Sequence, residues 1–216
     1  MSLSPQIRKH IYPVLRRQGF EKLESGWRLE SSDGWIILVE TSSSKYGDDG
    51  LYHLRIDIGV YSRELDDLMG WGRRAGFNEH SPIPMPNSVL LCHIWVGLFD
   101  VDEDGAWVGV PDNFFLPKGK ASEAQFLEFA SKLERVIPGV IEKYASYESV
   151  IECKKKKICR ESQSKQGSMY AAAACIKLGR YDEAREFLDD AVRPGSIQFM
   201  KDIGARLEEE LVKSAS

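Results

Sequence analysis

The sequence predicts an α+β fold: a mostly antiparallel sheet of about five strands with helices on one face, followed by a C-terminal helical segment. Three observations carry this expectation. An amphipathic helix that stops at Gly19-Phe20 runs directly into strand-like segments. Residues 51–61 alternate, with Tyr52, Leu54, Ile56, Ile58 and Val60 on one side and His53, Arg55 and Asp57 on the other. Beyond residue 153 the strand signal ends and helical periodicity takes over. Residues 1–153 therefore read as an α+β domain, and residues 154–216 as a helical segment packed on it.

Each element has a local cause. Ser4-Pro5 marks a helix start, because proline at the first helical position gives up only a donor that has no partner there. Ile7, Ile11, Val14 and Leu15 form its apolar stripe and Gly19 supplies a left-handed stop, while Pro13 is expected to kink the helix or split off its last turn. Residues 20–30 read as a first strand, Asp33-Gly34 as a turn, 35–41 as a second strand, 42–50 as a polar loop and 51–61 as a third strand. One face of this sheet is expected to be core and the other not.

A short helix at 64–69 should precede an irregular excursion, since Gly70, Gly72, Gly76, Pro82, Pro84 and Pro86 resist regular pairing. Residues 89–99 read as a fourth strand, with 105–110 a fifth paired to it across Asp102-Glu103-Asp104-Gly105. Ser122 starts a helix bearing Phe126, Phe129, Leu133, Val136 and Ile137, expected to kink or break at Pro138-Gly139 before residues 140–153. Residues 170–178, 181–192 and 197–213 read as further helices, the first two hinged at Gly179-Arg180.

With 43% apolar and 29% charged residues among 216, the chain can build a real core and a hydrated surface. A formal charge of −4 argues against nucleic acid as the main partner, because phosphate binding needs a clustered positive field. The lysines at 154–157 are the local exception, but no aromatics interleave them to stack bases. They read as a solvated helix face or linker. The start lacks the pattern of a secretory signal, no apolar run approaches a membrane span, and four cysteines are too few for a disulfide scaffold. A cytoplasmic location without membrane contact is expected.

The segments Pro13-Val14-Leu15, Gly19-Phe20-Glu21-Lys22, Trp27-Arg28, Thr41-Ser42-Ser43 and Ile56-Asp57-Ile58-Gly59-Val60 carry a likeness that continues through Cys92-His93-Ile94, Gly105-Ala106-Trp107 and Ile137-Pro138. Over roughly residues 5–150 the chain resembles the bacterial domain of unknown function 4304 family. The resemblance implies the α+β fold and no catalytic residue. Where that pattern would place Gln-x-Ser, this chain has Glu40-Thr41-Ser42. In the C-terminal part, Ala171, Ala172, Gly179, Tyr181, Ala184, Leu188 and Ala191 resemble one tetratricopeptide-like helical hairpin. A single copy implies a packing motif docked on the first domain rather than a superhelical groove.

Candidate chemistry is sparse. Asp100-Val101-Asp102-Glu103-Asp104-Gly105 opens like a calcium loop, but the position that needs a bidentate glutamate is Pro111, so an acidic hairpin turn is expected. Cys153 and Cys159 would face different sides of a helix, and Cys92 and His93 opposite sides of a strand, so neither pair suggests a metal. The non-core sheet face is the best candidate surface for a ligand or partner: His53, Arg55 and Asp57 on one strand, His93 and Trp95 on another. The expectation is a non-enzymatic, regulatory or immunity-like module that binds a protein partner without a cofactor. The alternative is a small-molecule binder or enzyme using His53, Arg55, Asp57 and His93.

Overall fold

A computed structural model describes residues 3–46, 51–70, 89, 92–108, 115–117, 122–159, 164–192, 196 and 198–215. Helix α1 (Leu3–Arg17) ends where Gly19 turns left-handed at φ 85° and Phe20 N–H donates to the Leu15 carbonyl at 3.0 Å. Pro13 does not interrupt it. Burial of Ile11, Val14 and Leu15 on the same stripe outweighs the one missing backbone bond.

The expected first strand is two: β1 (Glu21–Lys22) and β2 (Trp27–Glu30) form a small hairpin. Gly34, at φ 78°, turns the chain into β3 (Trp35–Tyr46), longer than its apolar core suggests because it pairs along its whole length with β4 (Leu51–Ser62). Helix α2 (Arg63–Met69) follows at once. The glycine- and proline-rich excursion at 71–88 lies outside the described residues.

The fourth strand is shorter than expected. Strand β5 (Ile94–Gly97) stops because the Asp100 carboxylate accepts the Gly97 N–H at 2.9 Å and folds the chain into a turn. No fifth strand follows among the described residues: Val101 and Trp107 make a single bridge, and 109–110 lie outside them. The sequence instead missed β6 (Phe115–Pro117), which pairs with the start of β4 while β5 pairs with its second half. The sheet order is β1-β2-β3-β4-β5, antiparallel throughout, with β6 also on β4.

Helix α3 (Glu123–Tyr144) opens with a capping box in which Ser122 and Gln125 each satisfy the other's backbone N–H. It runs unbroken through Pro138, contrary to expectation. A proline there deprives the carbonyl four residues earlier of its partner, and Gln18 Nε2 donates to that Glu134 carbonyl at 2.8 Å. Lys9–Glu123 at 2.7 Å and Arg17–Glu134 at 3.0 Å lay α1 along α3. Both helices cover the apolar sheet face formed by Ile37, Val39, Leu54, Ile56, Ile58, Val60, Ile94 and Val96.

A second capping box, Ser146 with Ser149, starts α4 (Tyr147–Lys156). Helices α5 (Lys165–Lys177) and α6 (Tyr181–Ala191) form a tight hairpin in which Ala171 to Ala174, Ala184 and Ala191 are buried, and α7 (Gln198–Ala215) packs on both. The helical segment docks on α2: Arg206 donates to the Leu68 and Asp67 carbonyls at 2.8 and 3.0 Å, and Lys177 and Tyr147 both reach Glu64. One apolar cluster runs from Ile7 to Leu211, and residue 153 lies inside α4. Among the described residues no helix is long and apolar enough to cross a membrane.

Candidate functional site

The second sheet face is less open than its alternation suggests. Residues opposite one another in an antiparallel pair share a face, so the pairings Ile36↔Tyr61, Leu38↔Gly59, Glu40↔Asp57 and Gly59↔Trp95 define it. Its centre is a second apolar cluster of Ile36, Leu38, Tyr61, Val89, Cys92 and Trp95. The signal for this was present in the sequence: the uninterrupted apolar run at 35–39 is what a strand buried on both faces looks like.

Gly59 makes that cover fit. A Cβ there would stand 2.5 Å from Cys92 Sγ and 3.2 Å from Val89 Cα, so only glycine admits the segment this close. Gly59→Ala is expected to destabilise the chain by about 2 kcal/mol, read from the urea midpoint at constant slope. Glu40 Oε1 fastens the same segment by accepting the Val89 N–H at 3.1 Å.

Three of the sequence-selected residues come together. The Arg55 guanidinium lies over the Trp95 ring at 5.6 Å, and its Nη2 donates to Asp57 Oδ1 at 3.2 Å. Asp57 is buried, Trp95 is 9% exposed and the Arg55 side chain 37% exposed. The arrangement holds a cation over an aromatic surface with its side chain partly in water. His53 sits in β4 opposite Ser44 and Phe115, and its side chain lies outside the described residues.

His93 belongs to a different environment. It is 2% exposed, with Nε2 2.8 Å from the Ser62 carbonyl and its ring 4.9 Å from Tyr61 and 4.3 Å from Tyr170 of α5. Burial lowers it from 6.5 to about 4, so the ring is neutral at pH 7 and serves as a docking point for the helical segment. Beside it the Tyr61 hydroxyl donates to Asp66 Oδ2 at 2.7 Å, and burial pushes the Asp66 carboxyl from 3.8 to about 7. From the sequence the Asp66-Asp67 pair reads as surface charge, and the structure corrects this for Asp66, which the neighbouring helices bury.

The remaining charged motifs are absorbed by the fold. Asp102 Oδ1 accepts the Asp104 and Ala106 N–H groups at 3.0 and 2.8 Å, and Asp100 holds Gly97, so these carboxylates build a turn. Among the described residues no three His, Cys, Asp or Glu side chains are grouped to hold a metal ion. In the lysine run, Lys154 pairs with Asp190 and Lys155 with Glu183, tying α4 to α6, while Lys156 pairs with Glu152 one turn back on α4.

Two features were not foreseen. A pocket of about 440 Å³ lies between the 106–107 segment and α4, lined by Trp107, Tyr144, Glu148, Glu152, Cys153 and Lys156. The expectation that Cys153 and Cys159 face apart is overturned: the helix ends at Lys156, and the chain doubles back to bring the two thiols into hydrogen-bonding contact. No model of a protein family, no curated protein and no solved structure matches this chain.

Proposed function

We propose that this chain is a non-enzymatic protein-binding module of a regulatory or immunity-like kind, and that it engages a carboxylate of its partner through Arg55. One observation carries the reading. The guanidinium is laid over Trp95 at 5.6 Å and pinned by Asp57 at 3.2 Å, with part of the side chain in water. Arginine and tryptophan recur at the energetic centres of protein interfaces, and a side chain ordered in advance loses less entropy on binding. Asp57 uses one donor of the planar fork, which leaves others for a bidentate contact. All four cysteines are buried thiols, which supports a reducing, cytoplasmic setting. The segments from Gly19-Phe20 to Ile56-Asp57-Ile58-Gly59-Val60 support membership in the domain of unknown function 4304 family.

The test is capture from the native host followed by reconstitution of the pair from purified proteins. Arg55→Ala is expected to weaken the calorimetric Kd at least tenfold while leaving the thermal midpoint within a few degrees of wild type. A Kd unchanged by Arg55→Ala, or turnover of a small molecule that the same variant abolishes, would sink this reading.

A further inference from the structure

We propose that Cys153 and Cys159 form an oxidant-responsive dithiol, a modification site at which a hydroperoxide entering the pocket beside α4 converts the two thiols into an intramolecular disulfide. The argument begins with the backbone. Among the described residues, Lys157 at φ 53° and Cys159 at φ 67° are the two non-glycine positions in the left-handed region. Such conformations are disfavoured for side chains with a Cβ and persist where the surrounding structure imposes them. Here both fall between α4 and residue 160.

Their effect is specific. Lys157 and Ile158 donate to the Lys154 and Cys153 carbonyls at 3.3 and 3.1 Å, closing the end of α4 so that Cys159 folds back beneath it. The sequence separation that would put the thiols on opposite sides of a continuous helix instead puts them side by side, both buried. Cys153 also lines the 440 Å³ pocket, where Lys156 is a wall residue. The pocket therefore reaches Cys153, the residue whose buried thiol contacts Cys159.

The chemistry balances with a hydroperoxide as the two-electron acceptor. The Cys153 thiol gives up its proton as its sulfur attacks the near peroxide oxygen; the O–O bond breaks, and the departing oxygen takes up that proton and leaves, as water when the oxidant is hydrogen peroxide, with a sulfenic acid remaining on Cys153. Cys159 then attacks that sulfur, forming the S–S bond and releasing a second water. The adjacent Cys159, burial and the Glu152 carboxylate hold the Cys153 thiol protonated, and the Lys156 ammonium alone favours the thiolate. Cys92 and Cys175 lie on other elements, and burial raises both thiols as well.

The experiment uses the full reduced chain under native conditions, exposed to hydrogen peroxide, then alkylated, digested and analysed by mass spectrometry. Two of the four thiols should be lost together, in a linkage between residues 153 and 159 that dithiothreitol reverses. Cys159→Ser should leave Cys153 as a sulfenic acid trapped by dimedone, with no cross-link. Should that variant fail to fold, the wild-type linkage map still decides. Thiols that survive until urea unfolds the chain, or linkages that join other cysteines, would overturn the proposal.

Discussion

Asp66→Asn is expected to make the chain acid-sensitive, with stability falling by about 3 kcal/mol between pH 6.5 and 4, where the wild-type contributions of Asp66 and His93 cancel. The sign follows from which state holds the proton. Asp66 rises from 3.8 to about 7 on folding, so the folded chain binds that proton more tightly. Its contribution is full below pH 3.8 and is lost as pH rises to 7, a span worth about 4 kcal/mol. His93 falls from 6.5 to about 4, so the unfolded chain binds that proton more tightly. Its contribution is full above pH 6.5 and is lost as pH falls to 4, a span worth about 3 kcal/mol.

In the shared window the two slopes oppose each other. Removing either group exposes the other: His93→Gln should give a chain that loses stability as pH rises from 4 to 7. Asparagine keeps the shape of the protonated acid and an oxygen for the Tyr61 hydroxyl, so the change read is in pH slope rather than in packing. Urea midpoints measured from pH 4 to 8 decide the matter. Parallel profiles for wild type and Asp66→Asn would refute the account.

Gly139→Ala is expected to destabilise the chain by about 3 kcal/mol, against the usual rule that alanine improves a helix over glycine by about 1 kcal/mol. The acidic turn sits directly on α3 at this point. A Cβ at Gly139 would fall 2.1 Å from the Asp104 carbonyl oxygen, and one at Gly105 would fall 2.6 Å from the Val140 nitrogen. Both obstacles are backbone, so neither can swing aside. Gly179 provides the contrast, at φ 71° with nothing within 4 Å, and Gly179→Ala should cost only about 1 kcal/mol of backbone strain. Thermal midpoints of the two variants separate clash from strain; a neutral or stabilising Gly139→Ala would show that the turn does not rest on the helix as described.

Much of the fold is legible in short stretches of chain. The helix start at Ser122, the left-handed glycines at 19, 34 and 179, and the alternation of Leu54, Ile56, Ile58 and Val60 are each set by a handful of neighbours. Errors arose where a distant partner intervened. Pro138 breaks no helix because Gln18, far away in sequence, takes up the freed carbonyl. The candidate face was legible only in part for the same reason. Alternation placed Arg55, Asp57 and Trp95 on one side, but that Tyr170 of α5 would close over His93 has no local signature.

By itself, then, the sequence determined the α+β class, the helices at both ends of the sheet and the strand pair at its centre, because capping, turns and apolar periodicity act over a few residues. The tertiary structure alone decided which charges lie buried and which thiols meet. Those outcomes depend on desolvation and on backbones approaching within a few ångströms, and both are properties of elements brought together from opposite ends of the chain.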